Sequence, residues 1–260
     1  MRNVLEPRSV DVVVTSPPYN LGIKYKTYKD NAPREDYLAW SETWFAEVAR
    51  VLAEEGSFFL NIGGMPSDPS GPFEILTRAL KFFKLQNVIH WVKSVAIEKK
   101  DVGNYPGITA DVSVGHYKPI NSPRFVNDCH EYVFHLTSTG KVVLDRLGVG
   151  VPYQDKTNIA RWKGVKKDVR CRGNVWFIPY KTINSRALER PHPASFPVKL
   201  PDMCIRLHGL SRTKLVLDPF LGIGSSAVAA VRLGVKFVGF ELDREYFDVS
   251  CDVLKENARK

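Results

Sequence analysis

The chain has 260 residues, 44% of them hydrophobic and 25% charged, with a formal net charge of +9. That balance excludes a fibrous or wholly disordered polymer, and the length suits one sizeable α/β domain with an insertion. No apolar run approaches the roughly 20 residues that cross a bilayer and the N-terminus lacks the order of a secretory signal, so the expected location is cytoplasmic, with no membrane partner.

Residues 10–14, VDVVV, form a short apolar run of the kind that becomes a strand buried on both faces. The run ends in Thr15-Ser16-Pro17-Pro18-Tyr19, a turn restricted by its prolines, and a polar loop follows to about Pro33. Over 35–54, Leu38, Trp44, Phe45, Val48, Val51 and Leu52 recur at helical spacing, and Gly56 is expected to stop that helix. Residues 57–63 read as a buried parallel strand closed by Gly63 and Gly64, 73–83 as a second helix and 87–92 as another strand. Strands alternating with helices predict the α/β class: a doubly wound, mainly parallel, Rossmann-like sheet with helices on both faces.

From Lys93 to about Pro191 the regularity fades. Two β-like pieces, 131–137 and 174–180, sit among Gly, Pro, Asn and basic residues, which suggests an irregular insertion. Residues 1–92 hold 10 basic and 11 acidic side chains, 93–190 hold 17 and 9, and 191–260 hold 10 and 8, so the middle segment carries nearly all the surplus charge. A basic segment on a neutral scaffold fits a polyanion-binding face. The alternation then returns with a helix at 195–210, a strand at 214–220, a helix at 226–234, a strand at 236–242 and a terminal helix at 244–260. The expected organisation is 1–94, 95–190 and 191–260. The cysteines, at 129, 171, 204 and 251, form no C-x-x-C pair, which argues against a zinc site or a disulfide framework; no metal is expected.

Two places carry chemistry. Gly222 and Gly224 lie between a strand and a helix, where glycines let backbone approach a ligand and leave helix N-terminal amides free to meet it. Glu241 follows Gly222 by 19 residues at the end of the next strand, where a carboxylate can accept bonds from two ribose hydroxyls. By itself, G-x-G-x-x-A with this carboxylate fits NAD as well as it fits S-adenosylmethionine. Asp218-Pro219-Phe220 ahead of the glycines tilts the choice toward the second, because D-P-F-x-G-x-G resembles the cofactor loop of amino-methyltransferases acting on DNA.

T-S-P-P-Y near the start, H-P-A-S-F-P at 192–197 and D-P-F-x-G-x-G at 218–224, in that order, resemble the β-class DNA amino-methyltransferases over nearly the whole chain. The resemblance implies transfer of a methyl group from S-adenosyl-L-methionine to an exocyclic amino group of a base in double-stranded DNA, as in restriction-modification. It implies catalytic roles for Ser16, Pro17, Pro18 and Tyr19, and cofactor contacts from His192, Ala194, Phe196, Asp218, Pro219, Phe220, Gly222, Gly224, Ser225 and Glu241. An exocyclic amine is a poor nucleophile because its lone pair is delocalised into the ring. Acceptors on its N–H groups, here the Ser16 side chain and the Pro17 carbonyl, would stabilise the charge that develops as it attacks. Tyr19 would stack on the base once flipped from the duplex.

The segment 127–136 resembles the strand preceding the family's recognition region, with His130 and Glu131 near the target base. Target recognition falls between about 95 and 190, where 161–172 surrounds Trp162 with lysine and arginine. S-P-P-Y is more frequent among cytosine-N4 enzymes of the family and D-P-P-Y among adenine-N6 enzymes. Ser16 therefore favours N4 of cytosine, with N6 of adenine as the alternative and a DNA-binding module with a decayed active site as the reading from another class. Relatives carry a further strand and an acidic, adenine-contacting residue upstream, whereas ten residues precede Asp11 here. Either the N-terminus is shortened or other residues hold the adenine, with Phe220 and the Glu241 strand as candidates. A monomer or a homodimer is expected.

Overall fold

The computed structural model describes residues 1–115, 120–161, 167–180 and 195–258. Val10, Val12, Val13 and Val14 are at most 1% exposed. Such a run needs cover on both faces, and strand β1 (Val10–Thr15) accordingly lies inside the sheet. In chain order the other elements are α1 (Arg34–Val51), β2 (Leu52–Ile62), α2 (Gly71–Ala79), β3 (Lys84–Val92), β4 (Ser94–Ile97), α3 (Lys99–Val102), β5 (Val112–Gly115), β6 (His130–Thr137), α4 (Thr157–Arg161), β7 (Val175–Phe177), α5 (Lys199–His208), β8 (Leu215–Asp218), α6 (Ser225–Arg232), β9 (Lys236–Gly239) and α7 (Arg244–Ala258).

Among the described residues, seven strands form one sheet in the order β7-β3-β6-β2-β1-β8-β9. β1 pairs in parallel with β2 and β8, β8 with β9, and β3 with β7, while β6 runs antiparallel to both β2 and β3. The two β-like pieces inside 95–190 thus contribute strands to the central sheet, and β6 fills the gap between β2 and β3. β4 and β5 pair with each other in a separate antiparallel hairpin.

Side chains alternate across the sheet into two cores. Val10, Val13, Phe58, Leu60 and Leu136 pack under α1 and α2 through Phe45, Val48, Ile75 and Ala79. Val12, Val14, Phe59 and Val133 face Leu200, Cys204 and Ile205 of α5 and Ala229 and Ala230 of α6. Helices therefore cover both faces, as the alternation predicts.

α1 ends at Val51, before Gly56, because Leu52 turns extended and pairs with Val10. The next register pair is Val12 with Ser57, so residues 53–56 are the long side of an irregularity that restores the pairing. From β1 the chain crosses to β2 on one side, and β8 flanks β1 on the other. Connections diverging from neighbouring strands leave a crevice at their carboxyl ends.

Candidate active site

The two chemically marked stretches meet at that crevice. The Thr15 hydroxyl, fully buried, donates to Asp218 Oδ1 over 2.6 Å and joins positions 203 residues apart. Asp218 Oδ2 accepts the Ser226 hydroxyl at 2.5 Å, and Oδ1 also accepts the Phe220 N–H at 3.0 Å. Burial pushes this carboxyl up to about 6, against the pull of its three donors. Asp218 thus sits behind the turn and fixes its shape.

Past Thr15 the Ser16 Oγ lies 2.7 Å from the Tyr19 hydroxyl, which donates to Glu131 Oε2 at 3.1 Å. Asn61 on β2 donates its amide to Tyr19 Oη (2.5 Å) and to Glu131 Oε2 (2.7 Å), and Lys93 Nζ is 3.0 Å from Glu131 Oε1. Gly63 makes the cluster feasible: a Cβ there would stand 3.0 Å from Glu131 Cγ and 3.2 Å from the Tyr19 ring. Burial, and after it the Glu131 charge, hold the Tyr19 phenol well above its ordinary range. Pro18 is pinned by its carbonyl, which accepts the Tyr37 hydroxyl at 2.8 Å.

On the opposite wall Gly222 and Gly224 adopt φ of 55° and 89°, the left-handed region that suits glycine. The Gly222 N–H donates to Glu241 Oε2 at 2.7 Å and the Asp243 N–H to Oε1 at 2.8 Å, which holds the carboxylate beside the turn. Between the walls runs the loop 20–32. Asn20 (φ 59°) exchanges two hydrogen bonds with the Ala32 backbone, and Asp30, 2% exposed, accepts the N–H groups of Asn20, Leu21 and Ile23. Lys26 on this loop pairs with Glu245 of α7 and lies over the Tyr246 ring.

These walls enclose a cavity of about 1220 Å³. Ser16, Pro17, Pro18, Tyr19, Phe196, Pro219, Phe220, Gly222, Ser225 and Glu241 all line it, as do His130 and Glu131. Asp218 and Gly224 stand behind the wall: a Cβ on Gly224 would lie 3.2 Å from the Ser250 Cβ of α7. His192, Ala194 and Trp162 lie outside the described residues.

The sequence matches the family described as DNA methylase (N6_N4_Mtase) over residues 10–252. The chain belongs to this DNA methylase family. A Type II methyltransferase, M.ScaI of Streptomyces caespitosus, is 30% identical over 260 residues, covering 96% of this chain and 76% of that protein. The DNA adenine methyltransferase YhdJ of Escherichia coli (strain K12) is 27% identical, over 92% of this chain and 74% of its own. Among solved structures, the cytosine-N4-specific PvuII DNA methyltransferase superposes with a TM-score of 0.64 at 21% identity, covering 99% of this chain and 87% of the other. A complex of M1.HpyAVI with SAM gives 0.53 at 18% identity, over 97% and 91%. At these identities the two structures support the fold of the DNA methylase alone.

Asn61 and Lys93 line this DNA methylase's cavity and Asn20 and Asp30 hold the loop beside it, and none of these carries a motif signal. Asn20 and Asp30 close a loop whose length only the fold reveals, although Asn and Asp are the residues that bond to local backbone. Asn61 and Lys93 sit at the ends of strands whose partners depend on register. A buried polar residue inside an otherwise apolar run, Asn61 after Phe58-Phe59-Leu60, was the available signal.

Proposed function

We propose that this DNA methylase transfers a methyl group from S-adenosylmethionine to the exocyclic N4 of cytosine, in a base flipped from double-stranded DNA at a specific sequence. The observation that carries the reading is the Ser16 hydroxyl, held at the carboxyl end of β1 in the same cavity as the Gly222 turn and the Glu241 carboxylate. The cavity, somewhat larger than ordinary single-ligand sites, is large enough for a nucleoside cofactor with a base beside it. Its lining suits such a guest: a glycine turn for close backbone approach, a carboxylate for ribose hydroxyls, and Phe220, Trp40, Tyr28 and Leu242 as apolar surface. When bound, S-adenosylmethionine supplies an electrophilic methyl group on a sulfonium centre.

The protein's own residues then act on the amine. Ser16 Oγ and the Pro17 carbonyl accept its N–H groups, draw the nitrogen lone pair out of the ring and stabilise the positive charge that forms there. Both prolines restrict the turn, and the Tyr37 bond to the Pro18 carbonyl leaves it one orientation. The Tyr19 ring forms the surface against which the base stacks. Phe196, which packs in the core beside β1 and lines the cavity, closes the same wall. The surplus charge of 93–190 supplies phosphate contacts for the duplex.

The second reading is N6 of adenine, favoured by the likeness to an adenine methyltransferase. Digestion of treated DNA to nucleosides and mass spectrometry separate the two: N4-methylcytosine is expected, N6-methyladenine would replace the first reading by the second, and no methylated nucleoside would sink both.

A further inference from the structure

Tyr19 Oη is a saturated hydrogen-bonding centre. It accepts the Asn61 amide at 2.5 Å, and its single proton goes to Glu131 at 3.1 Å, since a carboxylate only accepts. The 2.7 Å contact between Ser16 and Tyr19 must then be made with the serine proton. The Asn61 amide also approaches Ser16 Oγ, at 3.5 Å, which leaves one Ser16 lone pair for a donor arriving from the cavity that Ser16 lines. Glu131 is itself held by Asn61 at 2.7 Å and by Lys93 at 3.0 Å, with the Glu131 and Lys93 side chains only 14% and 19% exposed. A directed line therefore runs from the cavity through two hydroxyls to a carboxylate beside an ammonium group.

We propose that Ser16, Tyr19 and Glu131 form the path by which the surplus proton leaves the methylated amino group, with Glu131 its acceptor and Asn61 and Lys93 as positioning residues. The inference rests on the methyl-transfer reading above. The amino nitrogen forms its bond to the methyl carbon as that carbon's bond to sulfur breaks, the electron pair leaving on sulfur. The nitrogen then gives one proton to Ser16 Oγ while the Ser16 proton passes to Tyr19 Oη and the Tyr19 proton to Glu131 Oε2. Both hydroxyls end as they began, and Glu131 carries the proton until solvent takes it. The phenol never stands ionised, because burial and the Glu131 charge both disfavour the phenolate. Lys93 holds the other carboxylate oxygen, Oε1, at 3.0 Å. The groups facing Glu131 are Lys93, just after β3, and Tyr19 from the turn after β1, with His130 beside it on β6, Asp128 ahead of that strand and Tyr180 also lining the cavity.

The test is single-turnover transfer of tritium-labelled methyl groups to unmethylated plasmid DNA, from mildly acid to mildly alkaline pH. Glu131→Gln should lower the rate about 10²-fold at every pH in that range, with affinity for S-adenosylmethionine changed by less than about twofold. Tyr19→Phe should slow the reaction by a similar factor, and the double variant should be little slower than either single one, because both cut the same path. Variants that keep the wild-type rate across that range would overturn the relay. If Glu131→Gln no longer binds the methyl donor, Tyr19→Phe, which removes one oxygen, decides alone by the same criterion. A wild-type protein that methylates no DNA would instead overturn the methyl-transfer reading beneath it.

Discussion

Ser16 and Asp218 show how different the duties of two motif residues are. Ser16 Oγ faces the cavity, so its loss should be felt in turnover: Ser16→Ala is expected to reduce kcat about 10²-fold while titration calorimetry finds S-adenosylmethionine binding nearly unchanged. Asp218 is fully buried, and its carboxylate is held by Thr15, Ser226 and Phe220. Thr15→Val removes one of those donors and leaves the carboxyl underpaired, which should cost about 1–3 kcal/mol in urea unfolding. T-S-P-P-Y and D-P-F-x-G-x-G were legible because prolines and glycines impose backbone conformations wherever they stand. The bond between Thr15 and Asp218 was not, since no local rule relates residues 203 apart.

Among the elements, the loop 20–32 decides how the cavity is closed. Three backbone N–H groups converge on Asp30, whose burial raises its carboxyl against the pull of those same donors. Asp30→Ala would free all three and let the loop sample other conformations. Affinity for S-adenosylmethionine is expected to weaken about tenfold, with little change in the global unfolding midpoint because the loop touches the first core only at Ala32, at its edge. Calorimetry and thermal melts would check the pair of outcomes; a large fall in Tm with unaltered affinity would contradict the role given to the loop. The end of α1 makes a related point. Helical periodicity continues through Leu52, yet pairing with Val10 captures that residue for β2, so a tertiary contact overrode local preference.

Across the molecule as a unit, a buried polar chain links the sheet to α5. The Asn87 amide donates to His135 Nδ1 (2.9 Å), which leaves Nε2–H to donate to Ser57 Oγ (3.0 Å) and the Ser57 proton to donate to His208 Nδ1 (2.9 Å). Burial lowers His135 to about 3 and His208 to about 4, the neighbouring charges of His208 and Arg212 adding to it. An unfolded chain protonates histidine near 6.5, so this stability is present above that pH and is lost as pH falls toward 4 and then 3. Asp218, raised to about 6, acts in the opposite sense: its contribution is full below its unfolded value and lost as pH rises through 6. Two histidines outweigh one carboxyl, so unfolding free energy from urea titration should be on the order of 2 kcal/mol lower at pH 5 than at pH 7. A His135→Gln/His208→Gln variant should show a shallower dependence.

Local chemistry was enough to set the class of fold, the two motif-bearing turns, the basic middle segment and the order in which they occur. Apolar periodicity, fixed φ at proline, open φ at glycine and composition each act within a few residues, so each can be read along the chain. Only the assembled chain places β6, from the apparently irregular segment, in the gap between β2 and β3 and antiparallel to both. That placement carries Glu131 to Tyr19 and Asn61, and the contact of Thr15 with Asp218 follows from the pairing of β1 with β8. Strand order and register depend on which apolar faces the whole chain can bury at once, and that condition cannot be read from any one segment.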